Sequence, residues 1–219
     1  MQFYSFCVAA SIFICLSTIL VVVIIFKSQH SSYWPSISEA GAGHNRHKIY
    51  STGMTVGAIF MLLGAYSFII ICMSRLSKIK ESVGVLFSLY LLSGTVIMCA
   101  ALAIQGIIKI NMSTDSCPHR TAASVFFVSA IFMCLGYTSL YNRVFKATNI
   151  RVFLRWVSFI AIALDIFMQT QIFKQYNLHL SSTNRIRSMD NSFITKFSIL
   201  QYVFVSALFL CFATIANFK

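Results

Sequence analysis

Apolar side chains run almost unbroken through six stretches of the chain, at residues 3–26, 51–73, 83–108, 121–141, 152–173 and 194–216. Each reaches or passes the roughly 20 residues that a helix needs to cross a hydrocarbon core of about 30 Å. The alternating period of barrel strands is missing, which leaves helices as the spanning structure. The pattern predicts an all-α membrane protein, a compact bundle of six transmembrane helices. Residues 1–219 form one domain, because the connections are too short for a separate soluble unit. The first stretch reads as a retained helix rather than a cleaved signal peptide. It lacks a basic leader and ends Ile25-Phe26-Lys27, without small residues for cleavage.

Composition agrees with this pattern. Hydrophobic residues make up 58% of the chain and charged ones 10%, against about 25% charged in ordinary globular proteins, so a soluble fold is excluded. Two Pro and nine Gly exclude collagen-like and disordered readings. Six of the seven cysteines fall in or at the ends of apolar stretches, where a free thiol acts as a small hydrophobe; only Cys117 lies in a connection. Cys72, near a helix end, is a candidate for acylation. The net charge of +12 comes from Lys and Arg at helix ends, which snorkel toward anionic headgroups. No basic helix lies outside the apolar stretches, so nucleic acid is not a partner.

An even number of spans puts both termini on one side, with the second and fourth connections. Those hold Arg75, Lys78, Lys80, Arg143, Lys146 and Arg151, densely spaced, whereas the other three connections hold more basic residues at lower density. Count and density therefore disagree, and the positive-inside rule does not decide. The five histidines (30, 44, 47, 119 and 179) and Glu39, Asp115 and Asp190 all fall in the odd connections. So does the glycosylation candidate Asn111, in Asn111-Met112-Ser113, which is usable only on a lumenal or extracellular face. We expect cytosolic termini.

Polar residues inside membrane helices need a reason. Gly53, Gly57 and Gly64 share one face of the second helix and allow close helix packing, within the chain rather than between copies. Asp165 lies inside the fifth span with Ser158 and Gln169 on the same face. A carboxylate there costs about 2.5–3.5 kcal/mol on insertion scales, so it should face the bundle or a wet cavity. Gln105, His119, Gln169, Gln171 and Gln201 fall at the same outer level, with Glu39 able to fold in. Together they predict either interhelical hydrogen bonding or a headgroup site at that interface. Catalytic signatures are absent: no G-x-S-x-G, H-E-x-x-H or phosphate-binding loop occurs. A serine with His119 and Asp115 or Asp165 is chemically conceivable, but no spacing singles one out. His44-Asn45-Arg46-His47 lacks the further ligands of a metal site and reads as a solvated loop. No metal or cofactor is expected.

Three short motifs carry a resemblance. Pro35-Ser36-Ile37-Ser38-Glu39-Ala40-Gly41 is similar to the "P-x-[IV]-S-[DE]-x-G" element of the Frag/DRAM/Sfk superfamily. His119, Ala122 and Phe126 match its "H-x-x-[AG]-x-x-x-F", and Phe197-Ser198-Ile199-Leu200-Gln201-Tyr202 resembles its "F-[AS]-x-x-E-[YW]". The departure is Gln201, which stands where relatives carry an acid. The resemblance spans the chain and implies six helices, cytosolic termini and the handling or sensing of membrane lipids. It points first to the branch that remodels the lipid of GPI anchors, in Golgi, ER or endolysosomal membranes, with the plasma membrane as a further location. Its implied partners are membrane lipids, either GPI anchors or anionic phospholipids. The headgroup site would then comprise Glu39, His119, Asp165, Gln169 and Gln201. The alternative is a modulator of autophagy or a scaffold acting through Arg75, Lys78, Lys80, Arg143 and Lys146.

Overall fold

A computed structural model describes residues 3–30, 32–78, 80, 82–108, 117–145, 148–180 and 191–216, with backbone alone at 117, 173, 175–180 and 191–193. Seven helices follow one another: α1 (Phe3–Gln29), α2 (Ile37–Ala40), α3 (His44–Lys78), α4 (Ser82–Ile107), α5 (Cys117–Val144), α6 (Asn149–Leu180) and α7 (Asn191–Ala213). Among the described residues there is no strand. Five helices are long and apolar enough to cross a membrane: α1, α3, α4, α5 from Pro118 and α7 from Ile194. The remaining long helix, α6, buries Arg155 and Asp165 and is not one of the five.

The packing forms a ring: α1 lies on α3, α3 on α4, α4 on α5, α5 on α7 and α7 on α1. Helix α6 sits outside this ring against α7, and its far face exposes Trp156, Ile160, Leu164 and Phe167. The α1–α3 contact depends on the three glycines of α3. A Cβ on Gly53 would lie 1.9 Å from Thr18 Oγ1, one on Gly57 2.3 Å from Cys15 Sγ, and one on Gly64 3.0 Å from Val8 Cγ2. Removing the side chains lets the backbones approach until Ser11 Oγ donates to the Gly57 carbonyl at 2.7 Å. At one end of the ring, Phe68 is surrounded by Tyr4, Tyr137, Tyr141 and Phe145.

Several boundaries differ from the hydropathy pattern. Helix α3 begins at His44 rather than at 51, so His44–His47 forms its first turn and is not a loop. Polar residues there are held by contacts rather than apolarity: the Arg46 guanidinium donates to Gln29 Oε1 and lies 5.0 Å from the Phe26 ring. Helix α5 opens at Cys117-Pro118, since proline's fixed φ and missing N–H suit a first turn. Helix α2 has no long apolar run and escaped the pattern. Cys72 is fully buried in the core, which removes it from reach of an acylating enzyme. Asn111 and Asp115 lie outside the described residues.

Candidate functional site

The connection from α1 to α3 is built around a capping box. Ser36 is the N-cap of α2; its hydroxyl accepts from the Glu39 N–H, while Glu39 Oε2 accepts from the Ser36 N–H at 3.3 Å. The other carboxylate oxygen of Glu39 accepts from the Tyr33 hydroxyl. Burial and the neighbouring Glu39 push the Tyr33 phenol up to about 12, so it remains a donor at all ordinary pH values. Gly41 ends α2 where a Cβ would lie 2.6 Å from the Tyr50 ring. Glu39 thus folds the connection, with both carboxylate oxygens committed to it.

This folded connection docks onto the last helix. Tyr202 donates its hydroxyl to the Pro35 carbonyl at 2.7 Å, Gln201 Oε1 accepts from the Ile37 N–H at 3.4 Å, and Thr195 Oγ1 accepts from the Trp34 N–H at 3.2 Å. From the other side, His119 Nε2 lies 2.9 Å from Ser38 Oγ and its Nδ1 3.0 Å from the Ile108 carbonyl. The three motifs, spread from Pro35 to Tyr202 in sequence, therefore meet at one end of the bundle.

They enclose a cavity of about 390 Å³. Its polar wall is formed by Ser36, Ser38, Tyr50, Gln105, His119, Gln169 and Gln201. The apolar wall continues along Leu102, Phe126, Phe127, Val205 and Phe209 into the depth of the ring. Arg120 and Ser124, also in the lining, are exposed on α5, so the cavity reaches the outer surface there, beside Gln169 of α6. Gln105 is 5% exposed; its Nε2 donates to the Tyr50 hydroxyl at 3.4 Å, and its Oε1 has no hydrogen-bond partner among the described residues.

Of the five headgroup candidates, His119, Gln169 and Gln201 line this cavity, and Glu39 and Asp165 do not. Asp165 lies behind Gln169, accepting from its Nε2 through Oδ2, while Oδ1 is buried without a partner among the described residues. It therefore orients Gln169 from the next turn. Ser158, on the same face, donates to the carbonyl of Leu154 and not to Asp165. Gln171 stays out of the lining. Among the motif residues, Ser38, His119, Phe126 and Gln201 line the cavity, while Pro35, Glu39, Gly41 and Tyr202 hold the connection in place. Ser38 and Tyr50 received no role from the sequence; Tyr50 was placed ahead of the apolar stretch at 51–73, where nothing marked it as helical or buried. The capping box, in contrast, was readable as Ser36-x-x-Glu39. Among the described residues no three His, Cys, Asp or Glu side chains group to hold a metal.

No curated protein and no solved structure matches the chain. The model of one family, described as Frag1/DRAM/Sfk1/Cwh43P N-terminal domain, matches residues 2–217. With its three motifs gathered around one cavity in a membrane bundle, the chain belongs to the Frag1/DRAM/Sfk1/Cwh43P N-terminal domain family.

Proposed function

We propose that the cavity binds a single membrane lipid, headgroup toward Gln105, His119, Gln169 and Gln201 and an acyl chain along Phe126, Phe127, Val205 and Phe209. The observation that carries this reading is the two-sided lining of the cavity, polar at the bundle end and apolar toward its depth, together with its opening at Arg120 and Ser124. A soluble polar ligand would leave the aromatic wall wet, and a plain hydrocarbon would strand Gln105 Oε1 and the amide of Gln201. A lipid satisfies both ends.

Family membership favours lipids as the ligand class, and the resemblance of the motifs to the GPI-anchor branch makes a GPI-type phospholipid the expected one. On this reading α6 is the sixth span, its charged groups turned inward to Thr214 and Gln169. The termini are cytosolic, which puts the cavity at the lumenal or extracellular interface of a Golgi, ER or endolysosomal membrane.

The test is lipid analysis of GPI-anchored proteins in cells that depend on this chain. Deletion is expected to change the acyl composition of their anchors, and His119→Ala to reproduce the change. Glu39→Ala is expected to act more weakly, through the fold of the connection. Unaltered anchors after deletion would reject the GPI assignment. Failure of the purified protein to retain any phospholipid would reject lipid binding itself.

A further inference from the structure

Hydroxyls in membrane helices usually donate back to a carbonyl one turn earlier, which satisfies them without a partner elsewhere. Ser88, Ser158, Ser198 and Thr170 all do this, at 2.7–2.9 Å. Ser38 does not. Its Oγ lies 2.9 Å from His119 Nε2, on the wall of the cavity. The other ring nitrogen, Nδ1, lies 3.0 Å from the Ile108 carbonyl, which only accepts. Nδ1 therefore carries the ring proton, and Nε2 is left with a lone pair directed at the serine hydroxyl. The imidazole is 3% exposed and is held in this tautomer and orientation by a backbone oxygen. A hydroxyl facing an oriented neutral imidazole is the arrangement by which serine is activated as a nucleophile.

Donors are present on the same wall. The Tyr50 hydroxyl is hydrogen-bonded to the Ser38 side chain and accepts from Gln105 Nε2. Gln201 gives its Oε1 to the Ile37 N–H and keeps its amide NH2 as a donor on the cavity lining. Among the described residues no carboxylate completes a triad: Glu39 is committed to the capping box and Tyr33, and Asp165 holds Gln169.

We propose that Ser38 and His119 form a dyad that transfers the fatty acyl group of a membrane lipid ester, with Ser38 as nucleophile and His119 as general base and acid. This rests on the lipid-binding reading of the cavity. His119 Nε2 takes the proton of Ser38 as Oγ attacks the ester carbonyl carbon, and the oxyanion so formed is met by the Tyr50 hydroxyl and the Gln201 amide. The ester C–O bond then breaks, and the departing lipid alkoxide takes the proton from Nε2, leaving the acyl group on Ser38. In the second half, water or the hydroxyl of another lipid gives its proton to Nε2 and attacks the acyl-serine carbonyl. Ser38 Oγ leaves and recovers the proton. The product is a free fatty acid in the first case and a re-esterified lipid in the second, with no change of oxidation state. The apolar wall from Phe126 to Phe209 holds the chain being moved.

The experiment uses the full chain in nanodiscs of phosphatidylcholine and phosphatidylinositol, treated with an alkyl fluorophosphonate and mapped by mass spectrometry, with retained phospholipid measured on the same samples. The expected result is an adduct on Ser38 of the parent chain, which retains phospholipid; the adduct is absent from Ser38→Ala and, per phospholipid retained, formed at least tenfold more slowly in His119→Gln. Ser38→Cys, which keeps a nucleophile in place, is expected to be alkylated by an acyl-chain chloromethyl ketone in a His119-dependent way. Retained phospholipid with an unreactive Ser38, or equal labelling in His119→Gln, would overturn the dyad and leave lipid binding standing. Absence of both phospholipid and labelling would overturn both.

Discussion

Replacing Gly57 by leucine is expected to separate α1 from α3 and to destroy the fold. The first added atom would already lie 2.3 Å from Cys15 Sγ and 3.6 Å from the Ser11 carbonyl, and three further carbons would have to enter the same buried contact. The displaced helix would also break the buried Ser11–Gly57 bond. Alanine at the same position tests the geometry more finely. Its one methyl collides with a side chain and not with backbone, so it should cost about 1–3 kcal/mol, the range for overpacking a filled core. Cys15→Ala removes the colliding sulfur and leaves Cys15 Cβ at 3.8 Å, an ordinary contact. The double variant is therefore expected to be more stable than the sum of the two single losses. Thermal unfolding in detergent measures the parent and all four variants. A leucine variant as stable as the parent, or strict additivity in the cycle, would show that α1 does not rest on Gly57.

The second large effect is on binding. Ala123 lies on α5 one turn beyond His119 and lines the cavity. Ala123→Trp is expected to fill the space beside the histidine and to lower phospholipid retention at least tenfold, which corresponds to about 1.4 kcal/mol. Its ring enters an existing void, so the cost in stability should stay near 1 kcal/mol, the low end of overpacking. Ile97, 54% exposed on the outer face of α4, supplies the control. Ile97→Trp adds the same ring to the lipid-facing surface and is expected to change neither property. Equal retention in both tryptophan variants would mean that lipid sits elsewhere.

The membrane bundle was readable in the sequence because continuous apolar runs have one physical solution. The gathering of Gln105, His119, Gln169 and Gln201 at one level followed from counting along those helices. Glu39 illustrates what does not follow. Its place in a motif suggested a ligand, whereas its carboxylate is consumed by Tyr33 and by the cap of a four-residue helix. Ser38 is the converse: one residue before Glu39, in a segment whose turn decides which side chain faces inward. A hydropathy window averages over that turn. The start of α3 was hidden for the same reason, since Arg46 is buried by a glutamine and an aromatic ring rather than by apolarity. The outlying position of α6 depends on which helices pack across the bundle, and no local signal encodes that.

The position of Arg155 has a consequence for how the chain is made. Its guanidinium donates to Asn142 Oδ1 at 2.8 Å, but its other two bonds go to Thr214, 59 residues further along. A ribosome therefore delivers Arg155 well before Thr214, which accepts two of its hydrogen bonds, and an arginine short of its partners is poorly received by lipid. Helices α6 and α7 should thus leave the translocon together as a hairpin. In a nascent chain stopped at residue 190, a cysteine introduced as Ser158→Cys is expected to react with a water-soluble maleimide, and in the finished chain to be shielded. Equal shielding in both would mean that α6 is accepted by the bilayer alone.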